Sequence, residues 1–143
     1  MKKIVLALIA ICTVSACASV YRQPGMKSLE SADIAVIEDD PCPGIQCLII
    51  IEIDGKRRGV GWFHRYEFQP GLRTIEFAFS GLNFTPTSTN IASTSNVLVE
   101  FEARPGATYT MRANADPNSL KWRPEIIEKA SGVVVSRVSS TAK

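Results

Sequence analysis

The feature that most constrains the fold is the alternation of apolar and polar residues that begins at Asp33 and recurs along the rest of the chain. Side chains of a strand point to opposite faces with a period of two, whereas one face of a helix repeats about every 3.6 residues. Residues 72–79 show the strand pattern clearly, because Ile75, Phe77 and Phe79 fall on one face. Helical spacing is not sustained over a useful length in this region. The chain beyond Asp33 is therefore predicted to be all-β.

Turn signals divide this region into short strands. Asp54-Gly55 is typical of a hairpin turn, and Gln69-Pro70-Gly71 places Pro and Gly at the central positions of a type II turn. The predicted strands are residues 34–37, 48–53, 60–68, 72–79, 97–102, 108–112, 122–128 and 133–138. We predict an antiparallel β-sandwich of seven to eight strands. A small β-barrel is the alternative, because the pattern does not show whether the sheet closes.

The N-terminus has the parts of a secretory signal peptide. Lys2 and Lys3 precede the apolar residues 4–16, which are too few for the roughly 20 residues that cross a bilayer as a helix. Residues 14–17, Val-Ser-Ala-Cys, resemble the lipobox of bacterial lipoproteins, in which the cysteine is acylated and becomes the new N-terminus. The resemblance implies that Cys17 carries acyl chains such as palmitate and anchors the protein to a membrane. Ordinary cleavage after Ala16 or Ala18 is the alternative.

The residue after the lipobox bears on the location. The lipoproteins that this pattern resembles have Asp directly after the cysteine when they stay in the inner membrane of many Gram-negative bacteria. This chain has Ala18 at that position. The expected location is therefore the outer membrane. The periplasmic side of that membrane is favoured, and the cell surface is the alternative. The predicted organisation is a signal peptide over 1–16, a lipidated N-terminus and tether over 17–31, the sandwich domain over 32–138 and a flexible tail over 139–143.

The charge balance excludes one class of function. The chain has 16 Lys and Arg against 14 Asp and Glu, and loss of Lys2 and Lys3 with the signal peptide leaves 14 of each. A nucleic-acid-binding domain normally carries a basic excess that neutralises phosphates. The mature chain has none, so we do not expect a nucleic-acid partner.

Two of the four cysteines remain for the domain. Cys12 leaves with the signal peptide and Cys17 is the lipidation candidate, which leaves Cys42 and Cys47. In an oxidising compartment these two are predicted to form a disulfide that staples a local turn. A zinc site would need three or four ligands, and His64 is the single histidine of the chain. Neither a metal nor another cofactor is predicted.

Part of the domain has a family resemblance. Residues 51–55, Ile-Glu-Ile-Asp-Gly, are followed by Gly59 and by residues 69–75, Gln-Pro-Gly-Leu-Arg-Thr-Ile. This order is similar to that of PEGA-type and carboxypeptidase-regulatory-like sandwich modules, and residues 105–109 resemble the ending of small bacterial lipoproteins with this layout. The resemblance covers residues 48–113, and it implies a binding or scaffolding role in the cell envelope. The chain departs from PEGA modules at residues 60–62, Val-Gly-Trp, where they show Thr-Pro.

The sequence gives little support for catalysis. General base chemistry near neutral pH most often uses histidine, and no nucleophile motif accompanies His64. The acidic pairs Asp39-Asp40 and Glu100 with Glu102 could in principle serve a glycosidase. Adjacent acids of this kind are usually solvated. No catalytic residue is assigned, and the protein is predicted to be non-enzymatic.

One hairpin is the candidate binding surface. It combines basic residues with aromatic residues, and its members are Lys56, Arg57, Arg58, Trp62, His64 and Tyr66. Such a cluster could contact lipid phosphates or an anionic polymer, whereas the alternative is a solvated turn above core aromatic residues. Residues 80–96 hold eleven Ser, Thr or Asn among seventeen, and could form a binding loop, a mobile loop or an edge arm.

These observations favour a non-enzymatic, outer-membrane-anchored lipoprotein that binds another envelope protein or a cell-wall component. The alternative is a ligand-binding or lysozyme-inhibitor-like periplasmic lipoprotein. The two hypotheses differ in whether the domain lowers lysozyme activity.

The predicted Cys42–Cys47 disulfide can be tested on exported protein. Mass spectrometry is expected to show both thiols oxidised, and reduction should lower the free energy of unfolding by about 2 kcal/mol because the closed loop is short. Two free thiols in the exported protein would contradict the pairing or the export.

Overall fold

The computed structural model describes residues 20–26, 30–38, 46–81, 91–92, 95–116 and 121–141. The predicted signal peptide, Cys17, Cys42 and the pair Asp39-Asp40 lie outside these ranges. The described chain is all-β apart from one turn of 3-10 helix at Ser31–Asp33. Its strands are β1 Val20–Arg22, β2 Ala35–Glu38, β3 Gln46–Ile53, β4 Lys56–Arg57, β5 Arg65–Phe68, β6 Gly71–Gly81, β7 Ile91–Ala92, β8 Val97–Ala103, β9 Thr108–Asp116, β10 Lys121–Glu128 and β11 Arg137–Thr141.

The strands form two sheets in a sandwich-like arrangement. Sheet A has the order β1-β5-β2-β9-β10, and sheet B has the order β11-β8-β6-β3-β4, with β7 also paired to β6. Over the described ranges the sheets do not close into a barrel, so the barrel alternative does not apply. The strands β1 and β10 are the two edges of sheet A. Gln23, just after β1, donates a hydrogen bond to Asp54, shortly before β4, and the backbone of β10 bonds to Val134 and Ser136, shortly before β11. One side of the sandwich is therefore formed by β1 and β4, and the opposite side by β10 and β11.

The core lies between the sheets and follows the predicted alternation. In β6 the buried residues are Ile75, Phe77 and Phe79, and in β8 they are Val97, Val99, Phe101 and Ala103. The rings of Phe68 and Phe101 pack edge to face across the sheets with centroids 6.1 Å apart. Tyr109 packs on Phe101 at 5.2 Å, and its hydroxyl accepts a hydrogen bond from the backbone N–H of Arg104 at 2.8 Å.

Two strand pairs differ from the antiparallel prediction. β1 runs parallel to β5, and β2 runs parallel to β9, while the other pairs are antiparallel. Parallel partners must come from distant parts of the chain, because a tight turn cannot join them. β1 also lies within the range 17–31 that was assigned to the tether. Tyr21 is buried in the core, which explains why this segment joins the sheet.

The strand predicted over 60–68 is shorter in the structure. β5 begins only at Arg65, because Gly59 and Gly61 have φ angles of 83° and 142° that a regular strand does not accommodate. Similarly, the segment predicted as a strand over 133–138 divides between the sheets. Val134 forms a single bridge to Ile127 of β10, and Arg137 then starts β11 beside β8.

Part of the Ser/Thr-rich segment 80–96 extends sheet B. Ser80 and Gly81 pair with β3 on one side and with Ala92 and Ile91 of β7 on the other. β7 therefore occupies the same side of β6 as β8. Residues 82–90 and 93–94 lie outside the described ranges, so the choice among a binding loop, a mobile loop and an edge arm stays open.

The Asp54-Gly55 turn is confirmed and is fixed by its own side chain. Both residues have positive φ, 51° and 70°, as a tight hairpin turn requires. The Asp54 carboxylate accepts hydrogen bonds from the Thr74 N–H at 3.0 Å, from Arg73 at 2.6 Å and from Gln23 at 2.9 Å. The turn therefore joins β3, β6 and the chain after β1. Among the described residues, a helix of the length and apolarity needed to cross a bilayer is absent.

The contact between the sheets is tested by Phe101→Ala. Loss of a ring that is 2 % exposed leaves a cavity between Phe68 and Tyr109, and the expected loss of unfolding free energy is about 3–5 kcal/mol. Urea denaturation measures it. The control is Leu72→Ala on the exposed face of β6, for which a change within about 0.5 kcal/mol is expected; equal losses for both variants would contradict this account of the core.

Candidate functional site

The predicted binding surface divides into exposed and buried residues. Lys56, Arg57 and His64 are exposed, and Trp62 is 63 % exposed. Tyr66 is 3 % exposed and belongs to the core. The strand alternation that would place Trp62 and Tyr66 on one side does not apply, since Trp62 precedes β5. We define residues 58–64 as the crossing loop, because they connect β4 of sheet B to β5 of sheet A.

The crossing loop is held in place by Arg58. Its Nε donates a hydrogen bond to the backbone carbonyl of Ile50, and its Nη1 donates to the carbonyl of Gly61. The guanidinium also lies over the ring of Phe63, 5.5 Å from the centroid. Arg58 is therefore a structural residue that ties the loop to the edge of β3, and it is not available for a partner in the way that Lys56 and Arg57 are.

Phe63 and Trp62 point in different directions. The Phe63 ring packs on Tyr21 at 5.7 Å and on Tyr66 at 5.9 Å, so it joins the crossing loop to sheet A. Val60 is fully exposed, and Trp62 has most of its surface in solvent. An exposed Trp next to a fully exposed Val is an unusual use of apolar surface in a small domain, and such residues often mark an interface.

The opposite side of the sandwich carries a groove that the sequence analysis missed. It has a volume of about 420 Å³ and lies between β10 and β11. Its lining residues are Arg123, Pro124, Glu125, Val134, Ser136, Arg137 and Val138. The groove forms because the chain leaves sheet A after Val134 and enters sheet B at Arg137. The exposure of Val133, Val134 and Val138 is a property of this fold, so the sequence held no local signal for the groove.

Both strands that border the groove are edge strands. Residues 121–125 of β10 pair only with β9, and β11 pairs only with β8, within the described part of the chain. Val134 and Val138 are 41 % and 45 % exposed. The backbone of Ile126 faces away from β9, so that of Pro124 does too, and Pro124 has no N–H to donate. An added strand would therefore pair with β11, and the valines offer apolar contact.

Glu125 fixes the polar wall of the groove. Its carboxylate accepts hydrogen bonds from Arg112 at 2.8 Å, from Asn114 at 3.1 Å and from Arg123 at 3.1 Å. Hydrogen bonds from Asn114, Arg112 and Arg123 hold the pKa of Glu125 below its ordinary value, against the opposing effect of burial. The carboxylate is therefore charged at neutral pH and orients two exposed guanidinium groups beside the groove.

Glu67 has the same kind of environment on the other half of sheet A. Burial alone would raise its pKa, but hydrogen bonds from Arg65 and Arg22 outweigh burial and lower the pKa. The Arg22–Glu67 pair, at 2.8 Å, joins β1 to β5. This carboxylate therefore holds an edge strand.

The remaining candidates are placed separately. His64 is exposed, and Glu100 accepts a hydrogen bond from Ser139 at 2.8 Å and pairs with Arg137 at 3.3 Å.

No group of three or more His, Cys, Asp or Glu that could hold a metal is found among the described residues. Cys47 lies on β3 opposite Ser80. Cys17, Cys42 and Asp39-Asp40 lie outside the described ranges, so lipidation and the disulfide stay predictions.

Comparisons with protein-family models, with curated proteins and with solved structures give no match for this chain. The site is therefore interpreted from its own geometry.

Glu125→Gln tests the polar wall of the groove. Loss of the charge is expected to lower the free energy of unfolding at pH 7 by about 1–2 kcal/mol. Because the pKa of folded Glu125 lies below the ordinary value of 4.5, its contribution is fully present above that pH and is lost as pH falls through the folded-state pKa. The variant should therefore lose less stability on acidification than the unchanged chain. Urea denaturation at several pH values measures both effects.

The matched control is Glu102→Gln, on the exposed face of β8. This variant should leave the free energy of unfolding at pH 7, and its loss on acidification, nearly unchanged. A Glu125→Gln variant with the same acid sensitivity as the unchanged chain would contradict the role given to this carboxylate.

Proposed function

We propose that this protein is a non-enzymatic lipoprotein, anchored at Cys17 to the outer membrane, that binds an extended segment of another envelope protein in the groove between β10 and β11. The observation that carries the proposal is the position of this groove. It lies between two edge strands on the side of the sandwich opposite β1, the described strand nearest Cys17 in the chain.

The chemistry of the groove favours an extended polypeptide as the occupant. The edge of β11 can hydrogen-bond an added strand, and Val134 and Val138 can contact alternate side chains of that strand. Arg123 and Arg137 lie beside them with exposed side chains, so a segment that also carries carboxylates would be complementary. The resemblance to envelope sandwich modules is consistent with such a binding role.

Because the proposed anchor is next to β1, a binding site between β10 and β11 lies on the side of the domain away from the anchor. The groove then faces away from the membrane toward the periplasm, where a partner has access. Several acyl chains on Cys17 would hold the protein stably, since one chain alone binds only marginally. The function proposed is therefore attachment of a partner to the membrane, and not chemical conversion.

The test is site-specific photocrosslinking of the full-length lipidated protein in cells. A photoreactive residue at Val138 is expected to crosslink one envelope protein, and mass spectrometry is expected to map the crosslink to one extended segment. The matched position is Leu72, an exposed apolar residue on the outer face of sheet B. It should give no such product.

A groove variant adds a quantitative control. Val134→Asp places a carboxylate on the contact surface, and the crosslinking yield from Val138 should fall about tenfold or more, which corresponds to about 1.4 kcal/mol. Equal yields from Val138 and Leu72 would overturn the groove as the binding site. Crosslinks to cell wall, inhibition of lysozyme or turnover of an envelope polymer would each replace the proposed function with another.

A further inference from the structure

We propose that the crossing loop is a membrane-contact site: it inserts Val60 and Trp62 into the lipid headgroup region of the membrane that holds Cys17. This inference rests on the proposed lipid anchor, and it adds a second, non-covalent contact that fixes how the domain lies on the membrane.

The strand register brings the anchor and the loop together. Val20 lies opposite Arg65 in the parallel pair of β1 and β5, so His64, the residue before Arg65, lies at the end of the pair where β1 begins. Cys17 is three residues before Val20, and three residues span at most about 10 Å. The lipid therefore meets the membrane close to the crossing loop.

β1 is fixed to the domain, so the anchor does not act through a long free tether. The Tyr21 side chain is buried, Arg22 pairs with Glu67 at 2.8 Å, and the Gln23 N–H donates to the Glu67 carbonyl at 2.9 Å. A membrane attached through Cys17 thus lies next to the edge formed by β1 and β4.

The loop is built to present its apolar side chains outward. Arg58 holds the backbone at Ile50 and Gly61, and Phe63 packs inward on Tyr21 and Tyr66. Val60 and Trp62 are left exposed on a fixed framework. Tryptophan is enriched at membrane interfaces, where its ring is buried near the headgroups and its N–H finds a polar partner.

The charges around the loop suit phospholipid headgroups. Lys56 and Arg57 precede the loop, and both are exposed, although Arg57 also lies 3.6 Å from Glu52. His64 is exposed at the end of the loop. Basic residues beside exposed apolar residues are the combination found in proteins that bind anionic lipid surfaces.

The experiment uses the lipidated protein in phosphatidylethanolamine–phosphatidylglycerol vesicles, with part of the lipid carrying bromine on the acyl chain near the headgroup. The chain has two tryptophans, so Trp122→Phe leaves Trp62 as the reporter, and Trp62→Phe leaves Trp122. Trp62 emission is expected to shift to shorter wavelength and to be quenched by bromine. Trp122, stacked on Phe79 inside the domain, should not be quenched. If Trp122→Phe fails to fold, the difference between the unchanged chain and Trp62→Phe gives the same readout.

Flotation of the vesicles tests the lipid anchor separately from the membrane contact of the crossing loop. A protein that floats with the vesicles but shows no quenching of Trp62 overturns the membrane contact of the loop and leaves the anchor standing. A protein that does not float overturns the anchor, and the lipid contact with it. Quenching of both tryptophans equally would also overturn the inference, because the domain would then be generally embedded or unfolded.

Paired variants test the contributing side chains. Val60→Ser should reduce the quenching of Trp62, whereas Val133→Ser should not, although Val133 is an exposed valine on the opposite side of the sandwich. Replacing Lys56 and Arg57 with Gln should lower the quenching in vesicles with phosphatidylglycerol toward that in vesicles of phosphatidylcholine. Unchanged quenching in both sets would contradict the proposal.

Discussion

The contact of Phe101 with Phe68 and Tyr109 is the interaction on which the rest of the structure depends. Phe101 comes from β8 of sheet B, and its two ring partners come from sheet A, Phe68 on the distant β5 and Tyr109 on the next strand, β9. The Tyr109 hydroxyl also accepts from Arg104 and so fixes the turn between β8 and β9. Because this cluster sets how the two sheets lie on each other, it also sets which strands become neighbouring edges on each side of the sandwich.

The two sides formed by these edges have different character. On one side the crossing loop covers the junction, and Arg58 satisfies a carbonyl at the edge of β3 that would otherwise face solvent. On the other side the junction stays open as a groove bordered by β10 and β11. Edge strands invite pairing with other chains, so most small domains protect them. Here the junction on one side is covered, and on the other side β11 keeps an edge that pairs with no further strand among the described residues.

The sequence predicted the parts of the fold that depend on local patterns. β6 and β8 bury every second residue, and Asp54-Gly55 forms the expected tight turn. The start of β5 was not predictable from alternation, because Val60 and Trp62 alternate as in a strand while Gly59 and Gly61 adopt backbone angles that end one. The parallel pairs of β1 and β2 have no local signal. The groove was missed for the same reason, since it arises where the chain changes sheets after Val134.

The parallel pairing of β1 also bears on the order of folding. Arg22 and Glu67 are 45 residues apart, so closing this contact costs more chain entropy than forming the hairpin of β9 and β10. We expect hairpins and the Phe101 cluster to form early and β1 to join the sheet late. The segment before β1, which is made first, would then stay accessible to the enzymes of the proposed lipidation until the rest of sheet A exists, and β1 would join the folded edge only afterwards.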